Sequence, residues 1–238
     1  MLAQARETLP PLGTGPGGVA VQPRFDGFRA LLFTPLRAGD PVLLQTRRGA
    51  LVQDRFPDLA AAARSLPAGL VLDGELAVLD HHGQLSFTAL QRRATAGRNA
   101  RVLAAEMPAH FIAFDVLQSD GQELLGEPFA RRREVLEALF ADHRLGPPWT
   151  LCPSTTDPAV AEEWLYEWTD VPGVEGVVVK SLTGRTGQAC AAGPRSAAGT
   201  PPKHSSAASP ARCAAPRSCC WAAMTPPAAY GWWGRPSR

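Results

Sequence analysis

The chain changes character at Thr186. From Thr186 to Arg238 it contains no Leu, Ile, Val or Phe, and no Asp or Glu. All 22 acidic residues precede that point, and the 24 Lys and Arg divide 18 before and 6 after. The net charge of +2 therefore combines −4 in front with +6 behind. A segment without branched aliphatics buries little apolar area. That burial does not offset the conformational entropy of ordering the chain, roughly 1–2 kcal/mol per residue. The expectation is a lead-in over residues 1–16, one folded domain over residues 17–185, and a disordered tail over residues 186–238 that leaves Trp221, Trp232 and Trp233 exposed.

The 238 residues suit one ordinary domain with at most a small partner. A chain that is 45% hydrophobic and 19% charged is not a highly charged disordered protein. No apolar run is long enough to span a bilayer, and Met1–Pro10 lacks the apolar segment of a secretory signal. A cytoplasmic location with no membrane partner is expected. Four of the five cysteines, Cys190, Cys213, Cys219 and Cys220, fall in the tail without a C-x-x-C spacing. Neither a zinc site nor a disulfide framework is expected from them.

In front of the break, short apolar runs alternate with helical patterns, and no internal repeat is visible. Val19–Gln22, Ala30–Phe33 and Val42–Gln45 read as strands, the last two forming a hairpin across Pro35 and Ala38-Gly39-Asp40-Pro41. Leu59–Leu66 reads as a short helix. Leu70–Leu72 and Leu76–Leu79 read as strands on either side of a kink at Asp73-Gly74-Glu75, and Phe111–Leu117 as a buried strand. Arg131–Phe140 and Ala159–Trp168 carry helical stripes, the second entered through Asp157-Pro158 as N-cap and first-turn proline. Val177–Val179 reads as a central strand. Many strands with interspersed helices indicate an α+β domain.

Four segments carry groups suited to chemistry. Arg24-Phe25-Asp26-Gly27-Phe28-Arg29 places a carboxylate and two guanidinium groups around a tight turn, which suits a phosphate. A surface turn with an ion pair is the alternative. Leu72-Asp73-Gly74-Glu75-Leu76 sets two carboxylates between apolar residues, where charge is costly without a cation or metal; an exposed bend is the alternative. Phe114-Asp115 ends an apolar strand, and Phe114 reads as core or as a base-stacking platform. In Glu175-Gly176-Val177-Val178-Val179-Lys180, alternation puts Val178 and Lys180 on one face. Lys180 then reaches either an anion or solvent.

In this order the segments resemble the ATP-dependent DNA ligases of the covalent nucleotidyltransferase superfamily. That family runs K-x-D-G-x-R, an S-R-x-G-like segment, D-G-E, F-D-x-L, E-G-x-V-x-K and a final W-x-K-x-[KR]. Here Arg24–Arg29 is followed by Thr46-Arg47-Arg48-Gly49, Asp73-Gly74-Glu75, Phe114-Asp115-Val116-Leu117 and Glu175–Lys180. Phe87 with Leu90-Gln91-Arg92-Arg93, and Arg131-Arg132-Arg133, resemble actinobacterial-type members. The resemblance implies an ATP-grasp-like nucleotidyltransferase domain of antiparallel sheets and packed helices. It also implies a reaction: a lysine amine attacks the α-phosphate of ATP, AMP passes from lysine to the 5′-phosphate of a nick, and the 3′-hydroxyl displaces it. By position, Phe114 would stack on adenine, Glu75 would contact ribose, and Gln22 would contact the nucleotide. Arg29, Arg47 and Lys180 would hold phosphates, while Glu75 and Glu175 would help place Mg²⁺. The implied partners of a monomeric protein are ATP and nicked double-stranded DNA.

Two departures from the family follow. The nucleophile position holds Arg24. A lysine serves there because its pKa can fall until a neutral amine exists, whereas arginine keeps its proton in a protein. The only lysines are Lys180, which has its own place, and Lys203 in the tail. The final motif is also missing as written. The tail, dominated by Ala, Pro, Gly, Arg, Ser and Cys, has the composition of G+C-rich coding sequence read out of frame. Suppose each new codon takes the third base of one codon and the first two of the next. Allowed solutions from Arg185 onward then include Tyr-Gly-Ala-Gly-Val-Arg-Gly-Trp-Thr-Lys-Ile-Arg, and Cys219–Thr225 becomes Leu-Leu-Leu-Gly-Arg-Tyr-Asp. The missing W-x-K-x-R reappears, followed by sequence resembling the family's OB domain. A basic disordered nucleic-acid tail is the rival reading, with only six cations to support it. The expectation is a ligase homologue impaired at its nucleophile and weakened in DNA binding by loss of the OB domain. The alternative is a non-catalytic nucleotide- or nick-binding protein.

Overall fold

The computed structural model describes residues 17–185, together with two short strands, Ala5–Arg6 and Ala189–Ala192. In chain order the strands are β1 (Ala5–Arg6), β2 (Val19–Phe25), β3 (Phe28–Phe33), β4 (Leu43–Thr46), β5 (Val71–Val78), β6 (Ala109–Ser119), β7 (Gln122–Glu123), β8 (Trp149–Leu151), β9 (Val174–Ser181) and β10 (Ala189–Ala192). The α-helices are α1 (Pro57–Ala62), α2 (Phe87–Ala94), α3 (Ala100–Glu106), α4 (Phe129–Asp142) and α5 (Pro158–Tyr166). Among the described residues, no helix is long and apolar enough to cross a membrane.

The strands form two sheets. The larger runs β4-β3-β5-β6-β7, with β8 parallel to β6, and the smaller runs β1-β10-β9-β2. Helices on one side and a second sheet on the other cover both faces of β6. This explains its nearly continuous apolar sequence. Phe111, Ala113 and Val116 enter one core with Leu32, Phe56, Leu72 and Leu136. Ile112 and Phe114 enter the other with Val21, Phe25, Trp164 and Val177–Val179.

Neighbours in sequence, β2 and β3 lie in different sheets, so Asp26-Gly27 carries the chain across the gap between them. The crossing is tight. A Cβ on Gly27 would lie 2.5 Å from both Glu75 Cγ and the Leu76 carbonyl oxygen, a separation no side chain tolerates. At α5 the N-cap is as expected: Asp157 Oδ1 accepts from the Ala159 amide at 2.9 Å, with Pro158 in the first turn.

Three features differ from the sequence expectations. The Asp73-Gly74-Glu75 segment is the middle of one strand, β5, with a register shift against β6 between Asp73 and Gly74. Gly74 sits there because the Phe111 ring packs 2.4 Å from where its Cβ would be. Helices α2 and α3 were not anticipated. And β10 lies inside the segment expected to be disordered, pairing with β9 from Ala189↔Lys180 to Ala192↔Val177. Backbone pairing does not require branched side chains, so Ala and Cys suffice. The rest of that segment, including its three tryptophans, lies outside the described residues.

Candidate functional site

The antiparallel ladder between β2 and β9 pairs Ala20 with Lys180, Gln22 with Val178 and Arg24 with Gly176. Paired residues share a face, so Gln22 and Lys180 point the same way, towards β6. Both reach the same atom. Gln22 Nε2 donates to the Phe114 carbonyl oxygen at 3.3 Å, and Lys180 Nζ donates to it at 3.2 Å. Gln22 is fully buried, and among the described residues its Oε1 has no hydrogen-bond partner. Lys180 Nζ also lies 5.0 Å from the Phe114 ring centre and 4.5 Å from that of Phe129, within cation–π range.

Arg29 arrives from β3, opposite Glu75 of β5. Its Nε donates to Asp73 Oδ1 at 2.9 Å, and its guanidinium stands 5.4 Å over the Phe114 ring. Two cations thus flank the aromatic ring that the sequence assigns to adenine. Glu75 is buried, and burial pushes its carboxyl up to about 8. Arg29 opposes that rise and Asp73 adds to it. Burial pulls the Lys180 ammonium below its ordinary range, while Asp115 and Asp73 pull it back.

Arg24 occupies the end of β2 at a bulge. Its Nε lies 2.6 Å from Glu175 Oε2, and the two side chains are 50% and 40% exposed, so solutes can reach them. Arg47 is exposed in the turn after β4, one residue beyond the Thr46↔Ala30 pair. Among the described residues no hydrogen bond or ion pair joins Arg47 to the cluster. The structure therefore brings together Gln22, Arg29, Glu75, Phe114 and Lys180, puts Arg24 with Glu175 at the strand end, and leaves Arg47 on the rim.

Two important side chains carried no role in the sequence reading. Asp115 receives Arg132 Nε and Nη2 at 2.8 and 2.9 Å in a buried bidentate pair, and its Oδ2 lies 3.8 Å from Lys180 Nζ. The signal was available: a carboxylate in an apolar strand needs a cation, and Arg132 lies on the apolar side of its helix with Phe129, Leu136 and Leu139.

Of the two carboxylates assigned to Mg²⁺, Glu175 does not fit the ion as placed. Mg²⁺ is usually held by one or two carboxylates with phosphate oxygens and waters, and Glu175 already faces the Arg24 guanidinium. Among the described residues no group of three or more His, Cys, Asp or Glu side chains could hold a metal ion.

Residues 1–188 match the family described as the ATP dependent DNA ligase domain. The chain belongs to the ATP-dependent DNA ligases. It is 39% identical over 184 residues to DNA ligase C2 of Mycolicibacterium smegmatis, covering 76% of this chain and 48% of the relative. It is also 39% identical over 186 residues to DNA ligase C of Mycobacterium tuberculosis, with the same coverages. The chain thus spans about half the length of these relatives. The ligase domain of M. tuberculosis LigD superposes with a TM-score of 0.55 at 30% identity, over 77% of this chain and 56% of that one. A mycobacterial DNA ligase D complexed with ATP and MES gives a TM-score of 0.55 at 29% identity, over 77% and 55%. The resemblance to an actinobacterial ligase holds, as does the α+β nucleotidyltransferase fold.

Proposed function

We propose that this ligase-family domain binds ATP between its two sheets but does not form the lysyl-AMP intermediate. The observation that carries this reading is Arg24 at the nucleophile position, ion-paired to Glu175. A guanidinium stays protonated and delocalised, so it offers no lone pair to the α-phosphate. The rest of the cradle supports nucleotide binding. Phe114 offers a ring for adenine, the amide of Gln22 a buried polar contact, and Glu75 a partner for ribose hydroxyls. Arg29 and Lys180 supply fixed positive charge for phosphates, with Arg47 available from the rim. The 5′-phosphate of nicked DNA is the second anion this site would meet, and the chain grips such DNA less firmly than a complete ligase.

The test is incubation with α-labelled ATP followed by denaturing electrophoresis, alongside equilibrium binding of ATP. The expected result is measurable binding with no covalent label. A labelled band from the unaltered chain would overturn the reading, because it would place the nucleophile elsewhere.

A further inference from the structure

We propose that this domain binds nucleotide phosphates without a divalent metal, the Arg24 guanidinium taking the place of the ion between Glu175 and the phosphate chain. This rests on the nucleotide reading above and deepens it. Glu175 is held by Arg24 at 2.6 Å, Asp73 by Arg29 at 2.9 Å and Asp115 by Arg132 at 2.8 and 2.9 Å. Each of these three carboxylates is thus already opposed by a permanent cation. A hydrated Mg²⁺ approaching Glu175 would meet the Arg24 guanidinium already paired with it.

The same geometry provides what the metal would otherwise supply. Arg24 uses its Nε on Glu175. A guanidinium carries five N–H donors in a planar fork, so its other edge can meet a phosphate while the pair persists. Arg29 and Lys180 flank the Phe114 ring, and Arg24 adds a third positive group opposite Gly176, near the start of β9. The ligand class is therefore an uncomplexed adenine nucleotide polyphosphate.

The experiment measures ATP binding by the full chain in EDTA and in excess Mg²⁺, with Mn²⁺ binding followed by electron paramagnetic resonance. The unaltered chain should bind ATP in EDTA, bind it more weakly in excess Mg²⁺, which complexes the phosphates in solution, and show no Mn²⁺ at the site. Arg24→Met removes a half-exposed side chain and should leave the fold intact by circular dichroism. It should weaken binding in EDTA by about tenfold, the loss of one charge-assisted contact. It should also recover affinity in Mg²⁺ and gain a Mn²⁺ signal, which Arg24→Met with Glu175→Gln should lose again. Binding by the unaltered chain only with Mg²⁺, or a Mn²⁺ signal from it that Glu175→Gln removes, would overturn the inference while leaving the nucleotide reading in place. A folded chain that binds ATP in neither medium would overturn both.

Discussion

On the proposed function, the residue at position 24 decides between chemistry and binding. Arg24→Lys returns an ionisable amine to the end of β2, beside Glu175. It does not return the family's final motif, whose lysine serves the triphosphate. Losing such a cation costs about 3–4 kcal/mol of transition-state stabilisation, or roughly 10²–10³ in rate. The Arg24→Lys chain should therefore give at most a trace of adenylylated protein and no nick sealing, measured with α-labelled ATP and a nicked duplex. Glu75 makes a different test. Burial raises its carboxyl from an ordinary 4.5 to about 8. The unfolded chain ionises first, so the contribution to stability is complete below about pH 4.5 and is lost as pH rises through about 8. Glu75→Gln removes a group that opposes folding once charged. Its stability relative to the unaltered chain should rise across that window, by at most about 1.4 kcal/mol per pH unit. Denaturant melts at both ends of the window would show it, and a constant difference would refute the assigned cause.

Helix α4 is tied to β6 through Arg132 and Asp115, both almost fully buried. Arg132→Met should cost about 3–5 kcal/mol, because it strands a buried carboxylate, whereas pairing it with Asp115→Leu should recover most of that loss. Urea unfolding of the two variants measures the difference. The same elements show what the sequence conveys and what it withholds. Strands β3, β4, β6 and β9 announce themselves as short apolar runs, and helices α4 and α5 by apolar stripes at the helical period. By contrast, α2 and α3 are carried by polar and small residues, with only Leu90, Arg93, Ala100 and Leu103 buried. Arg93 hides the pattern further. It is fully buried, with Asp58 and the Met107 and Arg55 carbonyls, all distant in sequence, meeting its two terminal nitrogens, while Nε has no hydrogen-bond partner among the described residues. Strand β5 looks broken because Gly74 breaks the apolar run, yet it is glycine only to admit the Phe111 ring. The site was legible as an ordered set of motifs. The Arg24–Glu175 pair was not, since local sequence does not specify which residues β2 and β9 set side by side.

For the whole molecule, the proposed function makes position 24 and the out-of-frame reading of the tail separately testable. Restoring the reading frame beyond Arg185, with Arg24 left in place, should raise affinity for nicked DNA and still give no covalent AMP. Frame repair and Arg24→Lys together should restore ATP-dependent sealing. Gel shift, α-label and nick-sealing assays on the three chains report the steps independently. A covalent adduct after frame repair alone would mean that position 24 does not correspond to the family's lysine.

The pairing of β2 with β9 has a consequence for how such a protein is made. Val19 is hydrogen-bonded opposite Ser181, so nearly the first strand synthesised waits for nearly the last of the described domain. At ordinary translation speeds of about 5–20 residues per second, that wait is roughly 10–30 s. Throughout it, the edge of Val19-Ala20-Val21 that faces β9 has no native partner and is open to unrelated chains, a hazard inherent in pairing the two ends of a chain. Whatever follows Ser181 in the reading frame also sets how far β9 stands from the ribosome when synthesis stops. Even residues that contribute nothing to catalysis can give the newborn sheet room to close.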